Sequence, residues 1–412
     1  MSQHSPIGLP HPFQEDYVQD PYPFLAVARR DAPVTRIDEL NLWVVTRYED
    51  IKNILLDPET FSNTNAQQPL YPLCERAQKV LSEGGFAPTP SLSSSDDPAH
   101  ARMRKNISKV VSFTPSRTAK LKPWIQTQAT TLIDAFADRG HADLVTELTH
   151  PLPAHVMFHL IGFPEEDSET LLSWCVARLQ LTWGRLSPGE QTVVAEHMVK
   201  YWKYCERFIA TRADDLKDDY ASELLRIHLE NPDALSTPEI ATAIYGLTFA
   251  GQETASQFMA SMLRLLLEKR ERWEELLHDR GMISNTVEEC LRLEPSIAAW
   301  RRITTRDTEI AGVSIPKGSH LLLHLGAGGH DSEMFSNGEE YEARRPNANA
   351  HLAFGYGVHY CLGAGLARAE AQLVLELLLG RFPQLRLVPG QDFGYVSNLC
   401  FRGPEHLFVE WP

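Results

Sequence analysis

Six cysteines stand in the 412 residues, at 74, 175, 205, 290, 361 and 400, and no two form a CxxC pair or a framework spacing. A disulfide-stapled scaffold is therefore excluded, and free thiols in a reducing cytoplasm are expected. Uninterrupted apolar runs are also missing. Polar residues break every stretch well before the roughly eighteen residues that a membrane span needs. Basic charge is scarce, with 39 Lys and Arg against 54 Asp and Glu for a formal net of −15, which argues against nucleic acid as the main partner. The opening "MSQHSPIGLPHPFQEDY" lacks a basic segment followed by an apolar one, so no secretory signal is expected. No repeat of fixed period and no low-complexity linker is visible.

What is present is ordinary for a soluble globular protein, with 43% hydrophobic and 23% charged residues and enough length for a large core. "VTRIDELNLWVVTRYED" has two apolar runs around a polar connection and predicts a β-hairpin. Residues 57–98 are rich in Pro, Ser, Gly and Asn and read as an irregular, functional loop. From 99 to about 295 helical periodicity dominates, with breaks near Pro115, Pro151, Pro164, Pro188 and Pro232. Strand signals return in "TEIAGVSIPKGSHLLLHL", where Pro316, Lys317 and Gly318 are expected to turn the chain. A last apolar helix is expected at 362–380. The composite is mainly α with minor β, in a single domain over 1–412.

Four groups of residues carry chemistry. Cys361 follows Gly355 and Gly357, which permit a tight turn, and precedes a helix start near Leu362. A free cysteine is by default a buried structural thiol. A zinc site could recruit His351 and His359, but the spacing matches no closed zinc pattern. A helix mouth favours thiolate, which suits a soft or borderline metal such as haem iron.

The second group is "EECLRLEPS", where Glu289 and Arg292 share a helix face, with Arg345 downstream in "YEARRP". The third is "TPEIATAIYGLTFAGQETASQFMASMLRLLLEKR", with Thr237 as N-cap and Pro238 at the first position of one unbroken helix of roughly 45–50 Å. Leu247, Ala250, Gly251, Thr254, Ala255 and Phe258 fall on one stripe. A mid-helix glycine costs about 1 kcal/mol, and Glu253 beside it needs a partner or water. The fourth group is scattered: His100 and Arg104 one turn apart, Arg302, and His359.

The run Phe354-Gly355-Tyr356-Gly357-Val358-His359-Tyr360-Cys361-Leu362-Gly363 resembles the F-x-x-G-x-x-x-C-x-G haem-binding signature of the cytochrome P-450 family. Ala250-Gly251-Gln252-Glu253-Thr254 is similar to that family's [AG]-G-x-[DE]-T oxygen-activation motif, and Glu289, Arg292 and Arg345 to its buried ion-pair network. The likeness extends from "DPYPF" to the C-terminal strands. It departs at "GAGGHD", 326–331, where many relatives carry an Asn-Arg-Asp run.

The resemblance implies a cytochrome P-450 fold with a b-type haem held through Cys361 and flanked by Phe354 and Gly363. His100, Arg104, Arg302 and His359 would take its propionates, the neighbouring Arg301 competing with Arg302 for that place. It also implies that Gly251 opens the helix for dioxygen, that Thr254 donates a hydrogen bond there, and that Glu253 feeds protons inward. The expected reaction inserts one oxygen atom of O2 into a hydrophobic substrate. Oxidative coupling, desaturation or peroxide-driven oxidation are the alternative outcomes, and a haem sensor is the non-enzyme reading. The substrate pocket is expected to draw on the 62–95 segment, Leu247, Ala250, Ile297, Ala298, Ala299 and about Leu399.

"LSEGGFAPTP" and "FRGPEHLFVEW" resemble haem domains of self-sufficient members fused to a reductase. This sequence shows no flavin, nicotinamide or iron–sulfur pattern, so NAD(P)H electrons are expected through a separate ferredoxin and ferredoxin reductase. In "AHARMRKNISKVVS" a helical projection puts His100, Arg104, Ile107 and Val111 on one face and Arg102, Lys105 and Lys109 on the other. The second face is expected to steer an acidic ferredoxin.

Overall fold

The computed structural model describes residues 9–175 and 178–412 and is mostly helical. Prolines mark helix starts: Pro115, Pro151 and Pro188 open the helices Pro115–Asp134, Pro151–Ile161 and Pro188–Asp214. A missing N–H costs nothing in the first turn, where no intrahelical partner exists. The longest helix is Thr237–Leu267, with 31 residues. Its cap is Ser236 and not Thr237. The Ser236 hydroxyl accepts from the Glu239 N–H, and the Glu239 carboxylate accepts from the Ser236 N–H at 2.8 Å. That reciprocal box satisfies two donors at once, which a cap one residue later could not match.

The long helix runs through the main apolar cluster and packs on 151–161, 188–214, 283–293 and 364–381. Beside this helical body lies a five-stranded sheet in the order Val34–Ile37, Leu42–Val45, His320–Leu323, Trp300–Thr304, Phe61–Ser62. The predicted hairpin is its edge, paired antiparallel from Val34–Val45 to Ile37–Leu42.

Two expectations change. The strands on either side of Pro316-Lys317-Gly318 do not pair with each other. Val313–Ile315 folds back on Thr308–Ile310 through Ala311 and Gly312, both at positive φ, the geometry of a primed hairpin turn. His320–Leu323 leaves to join the larger sheet, parallel to Leu42–Val45. The segment 57–98 is also not wholly irregular. It holds the helix Glu75–Glu83, which packs on 188–214. This helix is short, its cap is the unexpected Cys74, and its end is Gly84, where a Cβ would overlap Val199.

The last long helix is Ala364–Arg381, capped by Gly363. Among the described residues no helix is long and apolar enough to cross a membrane.

Candidate active site

The loop before helix 364–381 is built around its glycines. Gly355 and Gly357 both sit at φ 70°, and a Cβ on Gly357 would come within 2.7 Å of the Leu55 carbonyl oxygen. Positive φ and a close approach together admit only glycine at 357. The Cys361 N–H closes the loop on the Phe354 carbonyl at 3.0 Å. Cys361 is the one cysteine with an exposed surface, whereas 175, 205, 290 and 400 are buried.

The N–H groups of Gly363 and Ala364 point at the Cys361 sulfur. Packing around the thiol nonetheless pushes its pKa up, against those two N–H groups and the Arg104 and Arg368 guanidiniums. The described residues do not assemble the ligand set for a zinc ion around the sulfur. His351 has both ring nitrogens engaged, Nε2 with Glu288 at 3.2 Å and Nδ1 with the Ala353 N–H at 3.2 Å, and no three-ligand group exists among the described residues.

The four scattered residues do converge. The His100 and His359 rings lie 4.1 Å apart, and burial with His100, Arg302 and Arg104 around it pushes the His359 imidazole down to about 3. His100 Nδ1 meets Asp97 at 3.3 Å, while its buried Nε2 has no partner. Arg302 is buried; one Nη donates to Asn63 Oδ1 at 2.6 Å and to the Arg301 carbonyl at 2.9 Å, and the Asp96 carboxylate is near enough to act on its charge. Burial lowers its pKa to about 10. The ambiguity with Arg301 resolves by strand alternation. Arg301 turns to the carbonyls of Ala66 and Gln68, away from this group. Arg104 donates to the Tyr360 carbonyl at 2.6 Å, directly before Cys361. Three basic groups with an orphaned donor suit a pair of carboxylates, which is the chemistry of haem propionates. Asn63 belongs to this group and was not expected, because it lies in a loop with no periodicity.

On the long helix, Ala243, Leu247, Ala250 and Thr254 form a stripe that stays uncovered in mid-helix, Ala250 being fully in the exposed class. Of the stripe read from the sequence, Leu247, Ala250 and Thr254 are uncovered, while Ala255 and Phe258 are buried. The Thr254 hydroxyl donates to the Ala250 carbonyl at 2.6 Å. The helix runs continuously through Gly251. A Cβ there would overlap Met157 of helix 151–161, so the glycine serves close helix packing. Burial pushes the Glu253 carboxyl up to about 8, opposed by Arg178, and its Oε2 has no partner.

The Glu289 network stands as expected. Arg292 grips Glu289 with two bonds of 2.7 and 2.8 Å, Arg345 adds two of 3.0 Å, and all three are almost wholly buried. The departure at 326–331 belongs here. A Cβ on Gly329 would overlap the Arg292 carbonyl oxygen, so that run lets two backbones touch.

Pocket expectations fare unevenly. Leu247 and Ala250 are on the open stripe and Ile297 is half-buried, but Ala298 and Leu399 are only 6% exposed. Ala299 is 0% exposed inside a cluster with Leu322 and Phe401. In the surface stripe, Arg102 is taken up by Glu239 and the Ala234 carbonyl, which ties helix Ala99–Val111 to the start of the long helix. Lys105 and Lys109 remain exposed.

A helical body crossed by one long helix, with an exposed cysteine at a glycine-built helix mouth and a buried Glu-Arg-Arg network, defines a haem-thiolate protein class. The family described as Cytochrome P450 matches residues 36–394, and the chain belongs to this family of monooxygenases. It is 34% identical over 409 residues to Nocardicin C N-oxygenase of Nocardia uniformis subsp. tsuyamanensis, covering 97% of this chain and 98% of that one. It is 31% identical over 404 residues to Cytochrome P450 107B1 of Saccharopolyspora erythraea, covering 96% of each.

Among solved structures, an intact type IV self-sufficient cytochrome P450 monooxygenase superposes with a TM-score of 0.96 at 38% identity. That match covers 99% of this chain but 53% of the other, so the chain spans about half of that protein. Cytochrome P450 CREJ, solved with (4-ethylphenyl) dihydrogen phosphate, gives 0.92 at 36% identity over 96% of this chain and 98% of that one.

Proposed function

We propose that Cys361 would hold the iron of a b-type haem through its sulfur and that the protein inserts one oxygen atom of O2 into a hydrophobic substrate. The observation that carries this reading is the exposed sulfur at the Gly363–Ala364 helix mouth, facing a molecule whose other basic groups converge nearby. When bound, haem supplies the redox chemistry that activates dioxygen. His100, Arg104, Arg302 and His359 hold its propionates, with Asn63 orienting Arg302. Ala243, Leu247 and Ala250 present an apolar wall to substrate, and little on that wall could hold charge.

Thr254 is the hydroxyl on the same wall. Turning from the Ala250 carbonyl, it can hold a proton toward the open face. Glu253, pushed up to about 8, keeps its proton at neutral pH and can replace the one Thr254 gives up. Electrons come from NAD(P)H through a separate ferredoxin and its reductase. Its docking face is the outer side of the cysteine loop, where Tyr356, Val358, Tyr360 and the adjacent Leu56 are exposed, with Lys105 and Lys109 on the exposed side of the helix whose Arg104 donates to the Tyr360 carbonyl.

The test is spectral. Reduced protein with carbon monoxide shows the long-wavelength Soret band of thiolate ligation, and Cys361→Ser loses it. An unchanged band in that variant refutes the assignment. Oxygenated product formed from apolar substrates with a ferredoxin system then separates a monooxygenase from a sensor.

A further inference from the structure

Two charged residues with no role assigned above, Arg368 and Glu288, hold the cysteine loop at both ends. Arg368 lies on helix 364–381, about two turns beyond the cysteine. Its Nε and Nη2 donate to the two carboxylate oxygens of Glu288, at 2.6 and 2.8 Å. The pair is largely enclosed, with 24% of the arginine and 11% of the glutamate side chain exposed. The same guanidinium lies 4.5 Å over the Phe354 ring, and its Nη1 reaches Tyr360 Oη at 3.3 Å. Phe354 supplies the carbonyl that receives the Cys361 N–H, and Tyr360 is the residue before the sulfur. Glu288 also meets His351 at 3.2 Å, at the start of the loop. Glu288 comes from helix Ile283–Leu293, next to Glu289 of the buried network. One bidentate pair thus joins two helices and both flanks of the loop.

We propose that Arg368, anchored by Glu288, is a positioning residue for the cysteine ligand: it fixes the loop from Phe354 to Tyr360, and the pair's charges set the electrostatic potential at the sulfur. The proposal rests on Cys361 ligating the iron. A fork of two parallel bonds on one side and a ring face on the other restrains the guanidinium in all directions, which an ammonium could not reproduce. The charges act separately from the restraint. A positive group near the metal favours its reduced form, and a negative group favours the oxidised form.

The two substitutions therefore move the ferric/ferrous potential in opposite senses. Arg368→Gln leaves Glu288 uncompensated and shifts the potential negative. Glu288→Gln leaves Arg368 uncompensated and shifts it positive. A pair that only stiffened the fold would move the potential the same way in both variants, or not at all. Arg368→Lys keeps the charge without the fork, and its potential stays near that of the unaltered protein. In all three variants, peptide-level hydrogen exchange of the haem-loaded protein quickens severalfold at 354–361 and stays unchanged in helix 237–267.

Potential shifts of one sign, or unaltered exchange at 354–361, overturn the proposal. If Arg368→Gln does not fold, Glu288→Gln and Arg368→Lys decide it by the same two readouts. Loss of the ligation reading looks different: there the long-wavelength carbon monoxide band survives in Cys361→Ser, whatever the clamp variants do.

Discussion

Glu253 and Glu370 are two buried carboxyls whose burial raises both to about 8, and neither has a full set of hydrogen-bond partners. Glu253 directly precedes Thr254 of the open stripe, and the proposed function gives its proton a use. Glu370 is enclosed in the apolar body of helix 364–381, only 2% exposed, and its cost is structural. The unfolded chain gives up the Glu370 proton near 4.5 and the folded one keeps it to about 8. Stability therefore falls as pH rises through that window. Glu370→Gln flattens the decline and raises Tm at pH 8 by roughly 2–5 °C, read from melting curves between pH 5 and 8.

Thr254→Ala separates the two proton groups by function. Reductant is still consumed, hydrogen peroxide replaces most of the organic product, and a coupling ratio unchanged with a good substrate assigns the task to another group. Both carboxylates are plain in the sequence, but their protonation is not, because burial is a property of what packs around them.

At the scale of elements, the long helix shows how one residue type can carry two different meanings. Gly251 lies in a sequence that reads as an opening for dioxygen, yet its missing side chain is what lets helix 151–161 come close at Met157. Gly251→Ala is expected to destabilise by about 1–2 kcal/mol through overpacking, since the overlapping thioether can yield only partly. Shortening Met157 to Val in the same chain recovers part of that loss. A cycle of the four proteins in denaturant measures it, and additive effects refute the contact.

The helix cap was legible to within one residue. The Ser236–Glu239 box is a local pattern, and Glu239 then takes on Arg102 as a second partner from helix 99–111. That second bond explains why a helical projection misplaced Arg102 among free surface cations. Angle around a helix says which side a residue faces, but not what already covers that side.

For the whole molecule, charge is the quantity that matters to a partner. The net −15 makes a basic surface a local exception, and after Arg102 is withdrawn Lys105 and Lys109 remain exposed on helix 99–111, while Lys52 lies over the exposed Tyr356 ring of the cysteine loop at 5.6 Å. Long-range attraction acts on encounter rate and is screened by salt over about 10 Å at 0.1 M. The double variant Lys105→Glu with Lys109→Glu is expected to slow ferredoxin-driven reduction severalfold at low ionic strength and much less at high salt. Stopped-flow reduction at two salt concentrations checks this. Equal rates at low salt would leave the two lysines as a wetted helix face.

The sequence by itself determined the parts that depend on neighbours along the chain. The glycine turn before Cys361, the helix starts at proline, the first hairpin and the Glu289–Arg292 pair all follow from backbone geometry or from spacing on one helix. Tertiary structure decided the rest: Arg302 over Arg301, the withdrawal of Arg102, the burial of Ala299, the partner of strand His320–Leu323, and the Glu288–Arg368 clamp. Each of these turns on which two surfaces meet across a long separation in sequence. Such a meeting is selected by the packing of the whole core, and a charged or small residue carries no local mark of the surface it will face.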